Sequence, residues 1–412
     1  MSNKRSSYIR VLSNLQFSLL WSAQLISQSG DYIFNVALIW LVLKTTGSVV
    51  SVGQTLAVIL LPNLVVGPIA GICLDRFNRK YSMLVSNLVQ AGIVFTIGIM
   101  CNLGKFDFAA LLVMIFLLNT GAQFFKPAVT ATIPQIVHKQ DLVSSNALMS
   151  FTTNLNQLAG YGIGGVVVAL FGIYVPLYYD CLTFLVALAL IAFLNKSCCT
   201  VNPQAGLSAQ EDLRKTLAEG LTFIRTNRIL SELVVVGISI HFAEAAAYAL
   251  FAPYSEITLQ ANSATYGFML AMISAGTAGG SVLVGKLDVG RHMGKMLLLG
   301  IFGTGIGFTI LGQVSTPGIA LAISFAVGVF AALVALPIQV LLQSIVPGRL
   351  LGRVTTSLVA LFSASQPLGS IVAGTISNSL TPATGLSLLG IFTAVSIFLM
   401  SFWFKDLRYS GF

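Results

Sequence analysis

The sequence predicts an all-α, polytopic membrane protein with twelve transmembrane helices in two pseudo-symmetric six-helix halves. Three observations predict it: the composition, the spacing of apolar stretches, and an internal repeat. Of the 412 residues, 56% are hydrophobic and only 8% are charged, and the mean hydropathy is +0.89. A soluble domain carries about 25% charged residues to cover its surface. This chain has no such water-compatible shell, so lipid is the solvent for most of its surface. The same arithmetic excludes disordered, collagen-like, coiled-coil and disulfide-scaffold classes. It also overrides the two or three soluble domains that length alone suggests.

A helix needs about 20 apolar residues to cross the hydrocarbon. Six such stretches lie at 17–43, 49–73, 82–103, 107–126, 144–171 and 175–194, and six more at 228–253, 263–287, 293–313, 316–341, 353–379 and 384–404. The first is too long for a leader core, contains Gln24, Gln28 and Asp31, and lacks a small-residue cleavage site, so it reads as a span. The one sizeable polar stretch, 195–227, contains Pro203, Gly206, Glu211, Asp212 and Glu219. It reads as a cytoplasmic linker between an N-terminal half, 1–194, and a C-terminal half, 228–412. Within it, 213–225 has the pattern of an amphipathic helix lying at the membrane surface.

Lysine and arginine set the orientation. With the N-terminus inside, all 22 of them except Lys44 and Lys105 fall in inside regions. The net charge of +9 is therefore a topology signal and not a nucleic-acid footprint. It predicts a multi-pass cell-membrane protein with both termini cytoplasmic. The five cysteines form no CxxC pair, and with His138, His241 and His292 they give no metal-ligand spacing, so neither a metal nor a cofactor is expected. There is no GxSxG elbow, P-loop or HExxH, which argues against an enzyme. Any uphill work must then draw on an ion gradient or a separate ATPase.

The halves repeat at an offset of about 210–213 residues: Asp31 matches Glu244, Asp75 matches Asp288, Pro127 matches Pro337, and Gly164 matches Gly374. Repeated halves around a midplane site are the architecture of many secondary transporters. Asp31 and Glu244 also fall mid-span, where an ionisable group costs several kcal/mol and suggests use. Gln24, Gln28, Asp31 and Asn35 are spaced 4, 3 and 4 apart, which puts them on one helical face. His241, Glu244 and Tyr248 repeat the arrangement in span seven. Span four offers Asn119 and Gln123, and span five offers Asn154, Gln157 and Tyr161. Asp31, Glu244 and His241 are the candidates for proton coupling, and the remaining polar residues are candidates for a substrate cavity. The same Gln and Asn residues also fit a plainer role as interhelical hydrogen-bond glue. His241 also fits a packed histidine, and Asp180 a cap or hydrogen-bond anchor near the outer face.

The loop between spans two and three reads Gly71-Ile-Cys-Leu-Asp75-Arg76-Phe-Asn78-Arg79-Lys80. It resembles the signature loop of the major facilitator superfamily. Asn78 stands where glycine is usual, a departure that a left-handed asparagine tolerates. The second copy, Gly285-Lys-Leu-Asp288-Val-Gly290-Arg291, is degenerate. Span five carries Gly160-Tyr161-Gly162-Ile163-Gly164-Gly165, similar to the superfamily's antiporter motif with Tyr161 in place of the usual proline. Lys126-Pro127-Ala128, Ile133-Pro134, Asp141-Leu142 and Asn146-Ala147 resemble the macrolide-efflux and siderophore-exporter branch. The resemblance covers essentially the whole chain. It implies alternating access, a charge-paired gating loop at Gly71, Asp75, Arg76, Arg79 and Lys80, and a helix-packing strip at Gly160, Gly164 and Gly165. One feature is absent: span four has Asn119-Thr120-Gly121-Ala122-Gln123 where many drug:proton antiporters carry an arginine, and Lys126 comes later, toward the cytoplasmic end.

These readings converge on a secondary-active exporter of amphiphilic organic molecules, of the multidrug or macrolide type, using proton antiport and working as a monomer in the bilayer. A dedicated exporter of one metabolite, such as a siderophore or lysolipid, keeps the same fold. A transport-inactive membrane receptor or partner subunit is the alternative of a different class.

Overall fold

The computed structural model describes residues 2–74, 77–195, 209–286, 293–377 and 379–403, and among these the ordered elements are all helical. In chain order they are α1 (Ser2–Ser13), α2 (Leu15–Thr46), α3 (Val49–Val65), α4 (Gly67–Leu74), α5 (Arg79–Asn102), α6 (Phe108–Ile136), α7 (Leu142–Phe171) and α8 (Tyr174–Ala192). The series continues with α9 (Ala209–Thr226), α10 (Arg228–Pro253), α11 (Ser263–Lys286), α12 (Met293–Leu311), α13 (Pro317–Ile345), α14 (Gly348–Ile376) and α15 (Pro382–Trp403). A π turn, Tyr254–Thr258, extends α10.

Among the described residues, ten of these helices are long and apolar enough to cross a membrane. The other two expected spans are also helical. The second is broken into α3 and α4 at Val66, where Pro62 and Gly67 weaken the ladder from either side. The fifth, α7, runs for 30 residues but carries Asn146, Thr152, Thr153, Asn154, Asn156 and Gln157. The two largest departures from the sequence reading are at the N-terminus and at the end of the fourth span. The chain starts with α1, a separate short helix ahead of the first span. The fourth span does not end at 126, because α6 absorbs Pro127 and Pro134 and continues to Ile136. Internal prolines are tolerated in spanning helices where neighbours re-satisfy the freed backbone groups.

The chain forms two compact units, Met1–Leu38 with Leu61–Gln210, and Ile39–Leu60 with Glu211–Phe412. In unit 1, α5 packs on α6 and α8, over a core that includes Phe17, Leu20, Met83, Ala128, Ile133 and Ile191. α2 and α7 run along one another: Trp21 Nε1 donates to Thr152 Oγ1 at 2.8 Å, and the Asn156 amide donates to the Leu25 carbonyl at 2.9 Å.

In unit 2, α10 pairs with α14, α11 with α13, and α12 with both α13 and α15. The segment 39–60 belongs here through three contacts. Lys44 bonds Glu256 at 2.6 Å, Trp40 stacks on Tyr266 at 6.4 Å, and a Cβ on Gly53 would lie 3.2 Å from Gly374 Cα. α9 covers the expected amphipathic stretch. Its apolar side chain Ile224 is buried in the unit 2 core beside Leu230, Leu233 and Val354.

Candidate substrate and coupling site

In unit 1 the site is built around the middle of α2. Asp31 is half-buried, and its neighbours on either side are contact points. Gly30 faces Asp180 and Thr183 of α8, and a Cβ at that position would collide with both side chains. Tyr32 packs against Gly160 of α7 and meets Tyr161 edge-on, with ring centroids 5.0 Å apart. The Asn35 amide donates to the Asp31 carbonyl at 2.8 Å, and Gln28 Oε1 accepts from Thr153 at 3.2 Å. The charges that the Asp31 carboxylate feels are Lys126 of α6 and Asp180 of α8.

Two of these neighbours depart from the sequence reading. Lys126 does not mark the end of span four but lies within α6. Its charge acts on Asp31 at a distance from within span four, without an ion pair or hydrogen bond among the described residues. Of the two roles read for Asp180, the cap falls, because Ile173 occupies that position, while the hydrogen-bond anchor is compatible with its place, fully buried in the second turn of α8. Its Oδ1 accepts from Thr183 at 3.3 Å, and its Oδ2 has no partner among the described residues.

The remaining unit 1 candidates divide by position. Gln24 and Gln157 are half-buried, and Gln24 Oε1 is an unpartnered acceptor among the described residues. The Asn119 amide donates within its own helix to the Ile115 carbonyl at 2.9 Å. Gln123 faces α4 at Gly67. Asn154 is exposed, whereas Asn156, two residues later, is the buried amide that bonds α2. A face missed from the sequence is Ser86, Asn87 and Gln90 on α5, all buried, with Ser86 donating to the Gly121 carbonyl. Its signal was present as three polar residues at spacings of one and three inside an apolar span.

In unit 2, Glu244 lines a cavity of about 190 Å³ together with Tyr248, Phe251, Thr277, Thr304 and Phe308. Glu244, Tyr248 and Phe251 follow a 4, 3 spacing on α10 and so share one face. Phe251 meets Tyr248 and Phe308 edge-on, at 5.6 and 6.2 Å. Both threonine hydroxyls are spent on backbone carbonyls of their own helices. Among the described residues Glu244 is the only carboxylate in that lining. His241, one turn earlier, has Nδ1 2.9 Å from the Gly237 carbonyl and its ring stacked on Phe362 at 4.8 Å.

The packing strip lies against the helix that carries Asp31. A Cβ on Gly164 would lie 3.0 Å from Ile33 Cα, and one on Gly160 would lie 2.6 Å from Tyr32 Cβ. Of the gating loop, Asp75 and Arg76 lie outside the described residues, as does Asp288 of its second copy. Gly71 sits in the last turn of α4. Asn78 is extended, with φ −62°, and caps α5 by accepting from the Lys80 amide at 3.0 Å. The glycine-to-asparagine departure therefore provides a cap and not a left-handed turn. Arg79 donates to the Ala131 carbonyl of α6, and Lys80 donates to the carbonyls of Ala192 and Leu194 at the end of α8. A cation at a helix C-terminus is favourably placed against the helix dipole.

The all-helical fold of the described residues, ten of whose helices are long and apolar enough to cross a membrane, is that of a polytopic membrane protein. The family follows from comparison: the chain belongs to the transmembrane secretion effector family of the major facilitator superfamily, whose model matches residues 6–407. It is 22% identical to macrolide efflux protein A of Streptococcus pyogenes, over 87% of this chain and 88% of that one. It is 25% identical to the multidrug efflux pump Tap of Mycolicibacterium fortuitum, over 88% and 89%. Its fold matches the inward-facing bacterial homolog of the lysosomal transporter Spinster, with a TM-score of 0.76 at 14% identity over 96% of this chain and 98% of that one. These relatives are transporters and not enzymes, and the chain is a multi-pass membrane transporter of small molecules.

Proposed function

We propose that the chain is a proton-coupled exporter of amphiphilic organic molecules, working by alternating access of two six-helix halves, 1–194 and 228–412, joined by the linker 195–227. On this reading it functions as a monomer in the cell membrane with both termini in the cytoplasm. The observation that carries it is the matched pair of mid-span carboxylates, Asp31 and Glu244, the second of them set in an aromatic cavity. About 190 Å³ is less than the roughly 300 Å³ of a small-molecule pocket. The cavity fits one ring or ammonium group of a larger ligand, and Glu244 supplies the counter-charge. A proton and a cationic or hydrogen-bonding substrate then compete for the same carboxylate. Each neutralises it and shifts the same conformational equilibrium, which is all that antiport requires. The efflux activities named for the macrolide and multidrug relatives support the outward direction.

Proteoliposomes with an imposed pH gradient, assayed with a macrolide and a cationic dye, test this. Asp31→Asn or Glu244→Gln should abolish gradient-driven uphill efflux while downhill exchange stays measurable. If both single variants and the double variant still pump uphill, neither acid carries the coupling proton. Transport confined to a single metabolite across a drug panel would replace the broad substrate class by a dedicated one.

A further inference from the structure

The end of each unit that carries its short leading helix repeats one arrangement with the charges exchanged. In unit 1, Arg10 of α1 holds Asp141, at the start of α7, through Nε and Nη2 at 2.5–3.1 Å, and Ser7 adds a hydroxyl at 3.1 Å. Val11 is buried in the core, and Asn14 caps α2 by accepting from the amides of Gln16 and Phe17. In unit 2, Glu219 of α9 holds Arg353, in the second turn of α14. Ile224 is buried in the core, and Asn227 caps α10 by accepting from the Leu230 amide. Arg10 and Glu219, Val11 and Ile224, Asn14 and Asn227, and Asp141 and Arg353 are separated by 209, 213, 213 and 212 residues. The last three fall within the repeat offset of the chain, and the first, about one helical turn shorter than its neighbour, keeps Glu219 on the matching helix. The two ion pairs carry opposite sign.

We infer that α1 and α9 are matched latches. Each ties the helix bearing its half's carboxylate to the helix that packs along it, and the reversed charges assign each latch to its own half. An ion pair with at least one solvent-exposed partner, as each of these has, adds only modest stability by itself. Its larger effect is selection, since the wrong partner presents a like charge. Interchanged leading helices would set Arg10 against Arg353 and Glu219 against Asp141. Arg10, Asp141, Glu219 and Arg353 are thus positioning residues, acting on Asp31 and Glu244 through the seams α2–α7 and α10–α14. The consequence for transport rests on the exporter reading above, but the docking does not.

The test uses the full-length chain in native membranes with its own cysteines replaced. Cysteines at Ser7 and Ser144, whose hydroxyls lie 2.9 Å apart, report the first latch. Cysteines at Leu217 and Ser357, joined by a hydroxyl-to-carbonyl bond of 3.4 Å, report the second. Asp141→Arg and Arg353→Asp should each lower the cross-link yield of their own latch at least fivefold and lower efflux with it. Arg10→Asp with Asp141→Arg, and Glu219→Arg with Arg353→Asp, should restore both readings. Combining Asp141→Arg with Arg353→Asp should leave both cross-links low. Asp141→Asn, which removes the charge without reversing it, should give an intermediate yield. Equal yields in Asp141→Arg and wild type, or no recovery in the exchanged pairs, would overturn the latches. Wild-type efflux with the cross-links lost would overturn the positioning role while leaving the exporter reading intact.

Discussion

At the scale of single residues, chemistry was more legible in the sequence than partnership. Asp31 and Glu244 were visible because a carboxylate at the middle of an apolar run is costly and has few bland explanations. Their partners were not, since a pairing 131 residues apart along the chain, such as Arg10 with Asp141, leaves no local periodicity. Asp141 also yields a pH prediction. Hydrogen bonding from the Arg10 guanidinium and the Ser7 hydroxyl holds its carboxyl below the usual carboxylate range, against the opposing effect of burial. His138 adds a weaker push in the same direction, and the same pairing raises Arg10. A carboxyl lowered on folding contributes stability above its ordinary value, about 3.9, and loses it only as acid carries the pH through the lowered value. Spin labels on Tyr8 and Val143, both exposed, should therefore report an unchanged distance distribution from pH 5 to 8, with α1 releasing only below about pH 4. Release well above that range would show that the Asp141 pairing is not what holds α1.

At the scale of elements, helix existence was legible and helix facing was not. The apolar runs located the spans, but α7 is polar on several sides, and periodicity alone does not say which row meets α2. The row that does is Thr152, Asn156, Gly160 and Gly164, spaced four apart, and exposed Asn154 lies off it. The C-terminal end of α6 was misplaced for a related reason. Proline next to lysine signals a helix end in water, whereas in a bundle the freed backbone groups find neighbours. The seam predicts a steric threshold. Gly164→Leu places a side chain against the Ile33 backbone and should cost about 1–3 kcal/mol by overpacking. Gly374→Leu meets the backbone of Val49 and Val50 at 3.1 Å and should behave alike. Gly92→Leu, where nothing lies within 4 Å, is the control and should leave the melting temperature of the purified protein unchanged. If the control were as destabilised as the seam variants, leucine tolerance and not helix approach would be what the assay reads.

At the scale of the whole molecule, orientation is an electrostatic question. Only lysine and arginine near the spans weigh heavily in it, while acidic residues contribute little. Reading inward from the first span, the two cations left outside are Lys44 and Lys105. Lys44 does not behave as a free charge: it bonds Glu256 and lies 5.5 Å from the centre of the Trp40 ring. Lys105 is exposed in the turn between α5 and α6, where one charge is outweighed by Arg79 and Lys80 at the opposite end of α5. With Lys126 set apart because it lies within α6, the reverse orientation would place 19 of the 22 cations on the outer side and forfeit the bias at nearly every short loop at once. In a cysteine-replaced background, cysteines at Lys105 or Thr258 should then react with an impermeant thiol reagent in intact cells. Cysteines at Lys139 or Arg349, both exposed at the other ends of their spans, should react only after permeabilisation. The opposite pattern would invert the molecule, turn the leading helices α1 and α9 to the outer face, and make an exporter with this arrangement an importer.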